Sequence, residues 1–163
     1  CYNKISKAGV KGGNMKRKYL VIPCLCALVC IAVIALMGAA KNPEEKTVEN
    51  LLRQRAAIME NMLFGKITYS EGEEKLKEVE TGSLYNRDLE NVKKYNDTDF
   101  EAIDKMDVVS LEKKGQVYDI MNFQGEIKWT YNGYDGRYST TDKYQIGVSC
   151  KAGDYKLISL EIQ

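Results

Sequence analysis

The sequence predicts an α+β protein: an N-terminal transmembrane helix, then two or three helices packed on a curved, antiparallel, four-stranded sheet. An uncharged apolar run extends from Tyr19 to Ala40. After it, apolar residues recur at helical spacing up to about Tyr95 and at alternate positions from Met106 onward. Helices followed along the chain by strands are typical of the α+β class.

The run from Tyr19 to Ala40 predicts a single membrane span, because about 20 apolar residues in a helix cross the hydrocarbon core. Lys and Arg residues precede the run without any acidic residue, an excess typical of the cytoplasmic side. Membrane lipid is therefore the first predicted partner. The chain divides into a basic cytoplasmic tail (1–18), a transmembrane helix (19–40) and an extracytoplasmic α+β domain (41–163).

A cleaved signal peptide is the alternative reading of the same run. Gly38-Ala39-Ala40 offers the small residues that a signal peptidase needs. The apolar region of a signal peptide usually has only about 7–15 residues, so the length of this run favours an uncleaved anchor.

The segment Lys11-Gly12-Gly13-Asn14-Met15 back-translates to a purine-rich stretch just before a start codon. This is the pattern of a bacterial ribosome-binding site read in frame. We expect translation to begin at Met15, with residues 1–14 as a translated leader.

Composition excludes several functions. Six of the 24 Lys and Arg residues precede the membrane run and all 23 acidic residues follow it, so the outer domain has a net charge of about −5. It lacks the basic footprint of a nucleic-acid binder. The chain has no histidine, which removes Ser-His-Asp and Cys-His catalysis and the usual zinc sites. We expect no catalytic residues, metal or cofactor, and no disulfide, because Cys150 is the only cysteine after the run.

Three helices are predicted in the first half of the domain. The first ends near Gly65, and a capping box of Ser70 and Glu73 starts the second, which ends at Gly82. The third begins near Ser83. The first helix has an apolar stripe with polar flanks, the stripe being Leu51, Leu52, Ile58, Met59, Met62 and Leu63 and the flanks Arg53, Arg55 and Glu60.

Four strands follow. The first covers residues 106–111 and ends in a turn at residues 113–115. The second is a long strand, 116–132, whose odd-numbered residues share one face, namely Val117, Met121, Phe123, Ile127, Trp129 and Tyr131. After a hairpin at Asn132-Gly133, the third strand covers residues 137–150. The fourth covers 155–162, with Ile158, Leu160 and Ile162 facing inward.

Asp119 is the one carboxylate that this register points inward, with Trp129 and Tyr131 further along the same face. In an apolar pocket its pKa would rise, and it could act as a general base. The simpler interpretation is a solvated position near a strand end, or a bulge that turns it outward. The three residues are the predicted pocket lining; Trp129 and Tyr131 are core residues first.

The order of elements and the ending Gly153-Asp154-Tyr155-Lys156-Leu157-Ile158-Ser159-Leu160 resemble the nuclear-transport-factor-2-like superfamily, a cystatin-like α+β cone. That segment is similar to the Gly-x-aromatic-x-Ile last strand of the superfamily. Its ketosteroid-isomerase-like members use an inward Asp as a base, as Asp119 would be here. The topology also resembles the membrane-anchored VirB8-like components of type IV secretion and conjugation machines, which implies an assembly role.

Two functions follow as expectations. The first is a membrane-anchored extracytoplasmic interaction or assembly module without catalytic activity, whose partners are other membrane or envelope proteins. The second is a binder of a small apolar ligand, or an isomerase-type enzyme, that uses the cone interior around Asp119.

Overall fold

The computed structural model describes residues 42–95, 101–133 and 135–163. The predicted tail and transmembrane helix, residues 1–40, lie outside this range. Among the residues described, no helix is both long enough and apolar enough to cross a membrane.

Three helices precede four strands, as predicted for an α+β protein. The helices are α1 (Pro43–Leu63), α2 (Tyr69–Val79) and α3 (Gly82–Tyr95). The strands are β1 (Ala102–Val117), β2 (Ile120–Gly133), β3 (Gly136–Lys151) and β4 (Asp154–Ile162). They form one antiparallel sheet in the order β1-β2-β3-β4.

Side-chain caps start the first two helices. At α1 the side chain of Asn42 accepts a hydrogen bond from the Glu44 backbone N–H at 3.1 Å, and Pro43 occupies the first turn. At α2 Thr68 accepts from the Glu71 N–H at 3.2 Å. The predicted Ser70–Glu73 capping box is therefore wrong. Thr68 and Glu71 have the same spacing two residues earlier, which leaves Ser70 inside the helix.

The odd-numbered face of β2 is buried as predicted. Met121, Phe123 and Ile127 are at most 2% exposed, and Trp129 is 8% exposed. Val117 is an exception at 60%, because it belongs to the end of β1 and not to this strand. The predicted turn at residues 113–115 is wrong: β1 continues through it with a bulge at Lys114.

Bulges explain where strict alternation fails. The register of β1 against β2 shifts at Asp104 and Val109 as well as at Lys114. After each extra residue, the side chains that face the core change from odd-numbered to even-numbered positions or the reverse. Each extra residue also bends the strand. A shift at Ile158 does the same in β4. The inward residues there are Leu157 and Leu160, so the predicted inward positions of Ile158 and Ile162 are wrong, and Ile162 is 69% exposed.

The core lies between the helices and one face of the sheet. α1 contacts both β1 and β4, the two edge strands of the sheet. The buried apolar residues come from all seven elements, and those below 3% exposure are Val48, Leu52, Leu76, Leu84, Val92, Met121, Phe123, Ile127, Ile146, Val148 and Leu157.

Candidate functional site

The structure separates the three predicted pocket residues. Asp119 lies in the two-residue turn between β1 and β2 and is exposed, so its predicted inward position is wrong. Trp129 lies ten residues further along β2, about 30 Å away at the usual rise of a strand. The turn comes after Val117, where β1 ends, because the bulge at Lys114 lets β1 extend further than the sequence predicts.

Trp129 and Tyr131 are neighbours on the inner face of β2, but their contacts are those of packed side chains. The Trp129 indole N–H donates a hydrogen bond to the Tyr144 hydroxyl at 3.0 Å. The Tyr131 ring stacks on Tyr138 with 5.2 Å between the ring centroids. Trp129 therefore belongs to the core, while Tyr131 is only partly buried beside it.

A depression of about 240 Å³ on the surface lies between β1 and β2. Its lining includes the charged side chains of Glu112, Glu126 and Lys143. None of the three predicted pocket residues contributes to this lining. The depression therefore does not correspond to the apolar interior site that the sequence predicts.

Three charged side chains meet where the helices pack together; we call them the buried charge cluster: Arg55 of α1, Glu80 at the end of α2, and Asp88 of α3. The side chains of Glu80 and Asp88 are 0% and 1% exposed. Arg55 Nε lies 2.7 Å from Glu80 Oε1 and donates a hydrogen bond to Asp88 Oδ2 at 2.7 Å. One guanidinium therefore joins all three helices.

The backbone fixes the positions of both carboxyls. Glu80 forms a parallel bridge with Leu157 of β4, and the next N–H, of Thr81, donates to the Leu157 carbonyl at 2.9 Å. Beside Asp88 on α3, Arg87 donates to the Leu160 carbonyl of the same strand at 2.9 Å. The cluster thus lies against β4 as well as between the helices.

The cluster has more acid than base. Burial, and next the negative charge of Asp88, raise the pKa of Glu80 to about 8, while Arg55 acts in the opposite direction. Glu80 is therefore mostly protonated at neutral pH. Within the range of residues described, Glu80 Oε2 and Asp88 Oδ1 have no hydrogen-bond partner. A proton on Glu80 supplies the donor that two neighbouring carboxylates lack.

A carboxyl that titrates near neutrality can serve as a general base. Here, however, neither carboxyl is accessible to solvent, so a dissolved substrate does not reach them. The arrangement is that of an internal brace that holds the helices together and binds one proton.

Sequence reasoning missed the buried charge cluster, and the prediction of Arg55 as a polar flank is wrong. A signal was present. Arg55 lies four residues after Leu51 on the apolar stripe of α1, and Asp88 lies four residues after Leu84 on that of α3. Charged residues at stripe positions of two helices indicate a buried pair.

A second unusual feature is the hairpin tip, which we define as residues Val117–Ile120 between β1 and β2. Val117 is 60% exposed, Tyr118 93% and Ile120 44%. Tyr118 has a φ of 52°, in the left-handed region that bulky residues rarely adopt. The tip is tied to the end of β3, because the Cys150 N–H donates to the Asp119 carbonyl at 2.7 Å.

No protein-family model matches the chain, and no curated protein matches it. Among solved structures, it is similar to the intermembrane space region of the chloroplast protein ARC6. The two are 13% identical with a TM-score of 0.47, over 72% of this chain and 95% of that one. A likeness of this size has no bearing on function.

Proposed function

We propose that this chain is a membrane-tethered, non-enzymatic interaction or assembly module with its folded domain on the extracytoplasmic side. The observation that carries the proposal is the charge pattern around Tyr19–Ala40. Six basic residues and no acid precede that uncharged run, and an acidic domain follows it. A tether raises the effective concentration of the domain toward other membrane and envelope proteins, which are the proposed partners.

The placement of the carboxylates supports a non-enzymatic role. Asp119 is exposed to solvent in the turn between β1 and β2. Glu80 and Asp88 are enclosed between helices around Arg55. None of these three carboxylates lines an open interior pocket. We therefore infer that partners bind the surface of the domain.

We further propose that the domain is a nuclear-transport-factor-2-like cone of the VirB8-like membrane-anchored branch, and part of a conjugation or secretion apparatus. Two features support this: three helices precede a four-stranded meander, and α1 contacts both edge strands of the sheet. Neighbouring genes for a conjugation ATPase or a relaxase would add support from outside the structure.

Topology is the first test. The full chain is fused after Gln163 either to alkaline phosphatase, which is active only outside the cytoplasm, or to a fluorescent protein that matures only inside. We expect an active phosphatase and a dark fluorescent fusion, with both proteins retained in the membrane fraction after alkaline extraction. The reverse pattern, or release into the soluble fraction, would contradict the proposed topology.

The second test separates a module from a catalyst or ligand binder. In a native host that lacks the gene, three versions are compared: the full chain, a domain released at Lys41 and secreted, and anchored Asp119→Asn. We expect the released domain to fail and Asp119→Asn to restore function fully. If the released domain works and Asp119→Asn does not, the protein belongs to the ligand-binding or enzymatic class.

A further inference from the structure

The hairpin tip carries a side chain that the fold of the domain does not explain. Tyr118 takes a left-handed φ of 52°, which glycine or asparagine adopts at lower cost, and its side chain is 93% exposed. Packing within the domain therefore gives no reason for an aromatic residue here. Val117 and Ile120 on either side extend the exposed apolar surface. The three side chains together expose apolar surface at the end of the β1–β2 hairpin, a feature typical of contact sites.

Contacts of α1 show at which end of the domain the tip lies. Near the middle of the helix, Arg53 donates to the Met106 carbonyl of β1 at 2.6 Å. In its first turn, Glu44 forms an ion pair with Lys113 of β1 at 2.8 Å. The residue number of the contact on β1 rises from 106 to 113 as the residue number on α1 falls from 53 to 44. The helix α1 therefore runs antiparallel to β1. Its N-terminus points toward the hairpin tip.

Hydrogen bonds continue from the first turn of α1 to the tip. Lys113, which pairs with Glu44, also donates to the Gln116 side-chain oxygen at 2.9 Å. The Gln116 amide donates in turn to the Tyr118 carbonyl at 3.0 Å. The tip is thus held in a defined position at the end of the domain where the chain enters α1.

The segment between the apolar run and α1 is short. Only Lys41 and Asn42 separate Ala40 from Pro43, and so few residues span at most about 10 Å when fully extended. The tip extends five residues beyond Lys113, which corresponds to roughly 15 Å of strand. The tip therefore lies at the end of the domain from which the chain leads back to that run.

We propose that the hairpin tip inserts into the interfacial region of the membrane, with Tyr118 at the level of the lipid headgroups. This inference rests on the proposed function, because it takes residues 19–40 as a membrane span. Tyrosine is enriched at membrane interfaces, where its ring is buried and its hydroxyl stays wet. The tip is a second point of attachment that fixes the orientation of the domain on the membrane.

Charge at this end of the domain favours apolar insertion over electrostatic adsorption. Lys113 and Lys114 are paired with Glu44 and Glu112. Acids and bases also occur together in and beside the β1–β2 turn and the β3–β4 turn, namely Asp119, Lys151, Asp154 and Lys156. A balanced surface gains little from anionic lipid, so we expect membrane contact of the tip to be nearly independent of salt.

The test uses the full chain reconstituted in vesicles of phosphatidylcholine and phosphatidylglycerol. Tyr118→Trp places a fluorophore at the tip, and the parent chain, with Trp129 alone, gives the background. Tyr138→Trp is the matched control, since Tyr138 is 45% exposed near the β2–β3 hairpin at the opposite end of the sheet. A doxyl quencher is carried on lipid near the glycerol backbone.

We expect quenching at position 118 to exceed that at position 138 several-fold, at low and at high salt. Equal quenching at both positions would overturn the proposal, as would none at position 118. If the emission of the tip variant depends on protein density in the vesicles and not on the quencher, a second copy of the chain covers the tip, and the lipid proposal is wrong.

Alkaline extraction of the same vesicles separates the two hypotheses. A chain that resists extraction but shows no quenching at position 118 overturns the inference and leaves the tether standing. Extraction of the whole chain overturns the tether and the inference together. Because fluorophore placement could disturb the turn, Tyr118→Ser with Ile120→Ser provides a second readout. We expect this pair to increase protease cleavage around residues 41–43 in vesicles several-fold and Tyr138→Ser to leave it unchanged.

Discussion

A buried carboxyl that keeps its proton makes the stability of this domain depend on pH in an uncommon direction. The pKa of Glu80 is about 8 in the fold, against an ordinary value of 4.5. Between these values the folded domain binds more protons than the unfolded chain, so stability falls as pH rises. The contribution is fully present below pH 4.5 and is lost as pH rises through 8. Paired carboxylates with lowered pKa values behave in the opposite way.

Glu80→Gln should remove most of this pH dependence. The amide resembles the protonated acid, donating a hydrogen bond toward Asp88 without adding a charge near it. We expect the variant to match the parent near pH 5 and to exceed its stability at pH 9 by about 2–4 kcal/mol. Urea unfolding of residues 42–163 across this pH range measures the difference. Parallel pH curves for the two proteins would show that Glu80 does not titrate in this range.

Trp129 offers a test of the core register. It is 8% exposed, and its indole N–H donates to the Tyr144 hydroxyl. Trp129→Ala should lower the free energy of unfolding by about 3–5 kcal/mol, since it leaves a large cavity. Trp129→Phe keeps most of the packing and should cost about 1–2 kcal/mol, mainly for the lost hydrogen bond. A neutral alanine variant in chemical denaturation would mean that this face of β2 is not the core.

At the scale of elements, the bulges of β1 decide which glycines are essential. Gly125 of β2 pairs with Leu111, just beyond the bulge at Val109, and a Cβ on it would lie 2.8 Å from the Ser110 carbonyl oxygen and 3.2 Å from Leu111 Cδ1. Backbone of the next strand cannot move aside without breaking the ladder. Glycine at this position permits the close approach of two strands.

Gly125→Ala should therefore destabilise the domain by about 1–3 kcal/mol. Gly115→Ala is the matched control, because Gly115 also lies in the β1–β2 pair but a Cβ there would have no atom within 4 Å. The control should change stability by less than about 1 kcal/mol. Thermal unfolding of both variants makes the comparison. Equal costs would mean that the backbone at Ser110 and Leu111 does not approach Gly125 this closely.

The same bulges mark how far the sequence predicts the fold. β2 alternates without interruption, so the inward positions of Phe123 and Ile127 follow from parity alone. In β4 the extra residue Ile158 changes which alternate positions face the core. No local residue preference in the sequence indicates this bulge. The predicted inward position of Asp119 fails for a related reason: the stretch Lys113–Gly115 has the composition of a turn but forms a bulge within β1.

Helix starts and buried charges are two further features that the sequence alone does not determine. Thr68 and Ser70 are each followed by glutamate three residues later, so local sequence cannot choose between them. The choice of Thr68 depends on where α1 ends and how α2 packs. The proton on Glu80 depends on the proximity of Asp88, which only the tertiary structure creates. The sequence shows that Arg55 and Asp88 lie on the apolar stripes of their helices, but it does not show that the two side chains are in contact.

At the scale of the whole domain, helices and sheet share one core. Its buried residues come from every helix and every strand, and the buried charge cluster joins all three helices against β4. Removing the helices would expose the apolar face of the sheet, and removing the sheet would expose the stripes of the helices. We therefore expect that neither the helices nor the sheet fold without the other.

We expect residues 42–163 to unfold in a single cooperative transition. Far-ultraviolet circular dichroism at 222 nm reports mainly the helices, and fluorescence of the single tryptophan, Trp129, reports the sheet. Because both layers depend on the same buried residues, the two signals should give the same urea midpoint and the same slope. Arg55→Met, which leaves two buried carboxyls without their cation, should lower both midpoints together. If the helical signal were lost before the tryptophan signal, the sheet would be stable without its helical cover, and α1 would be a detachable connection between the membrane and the sheet.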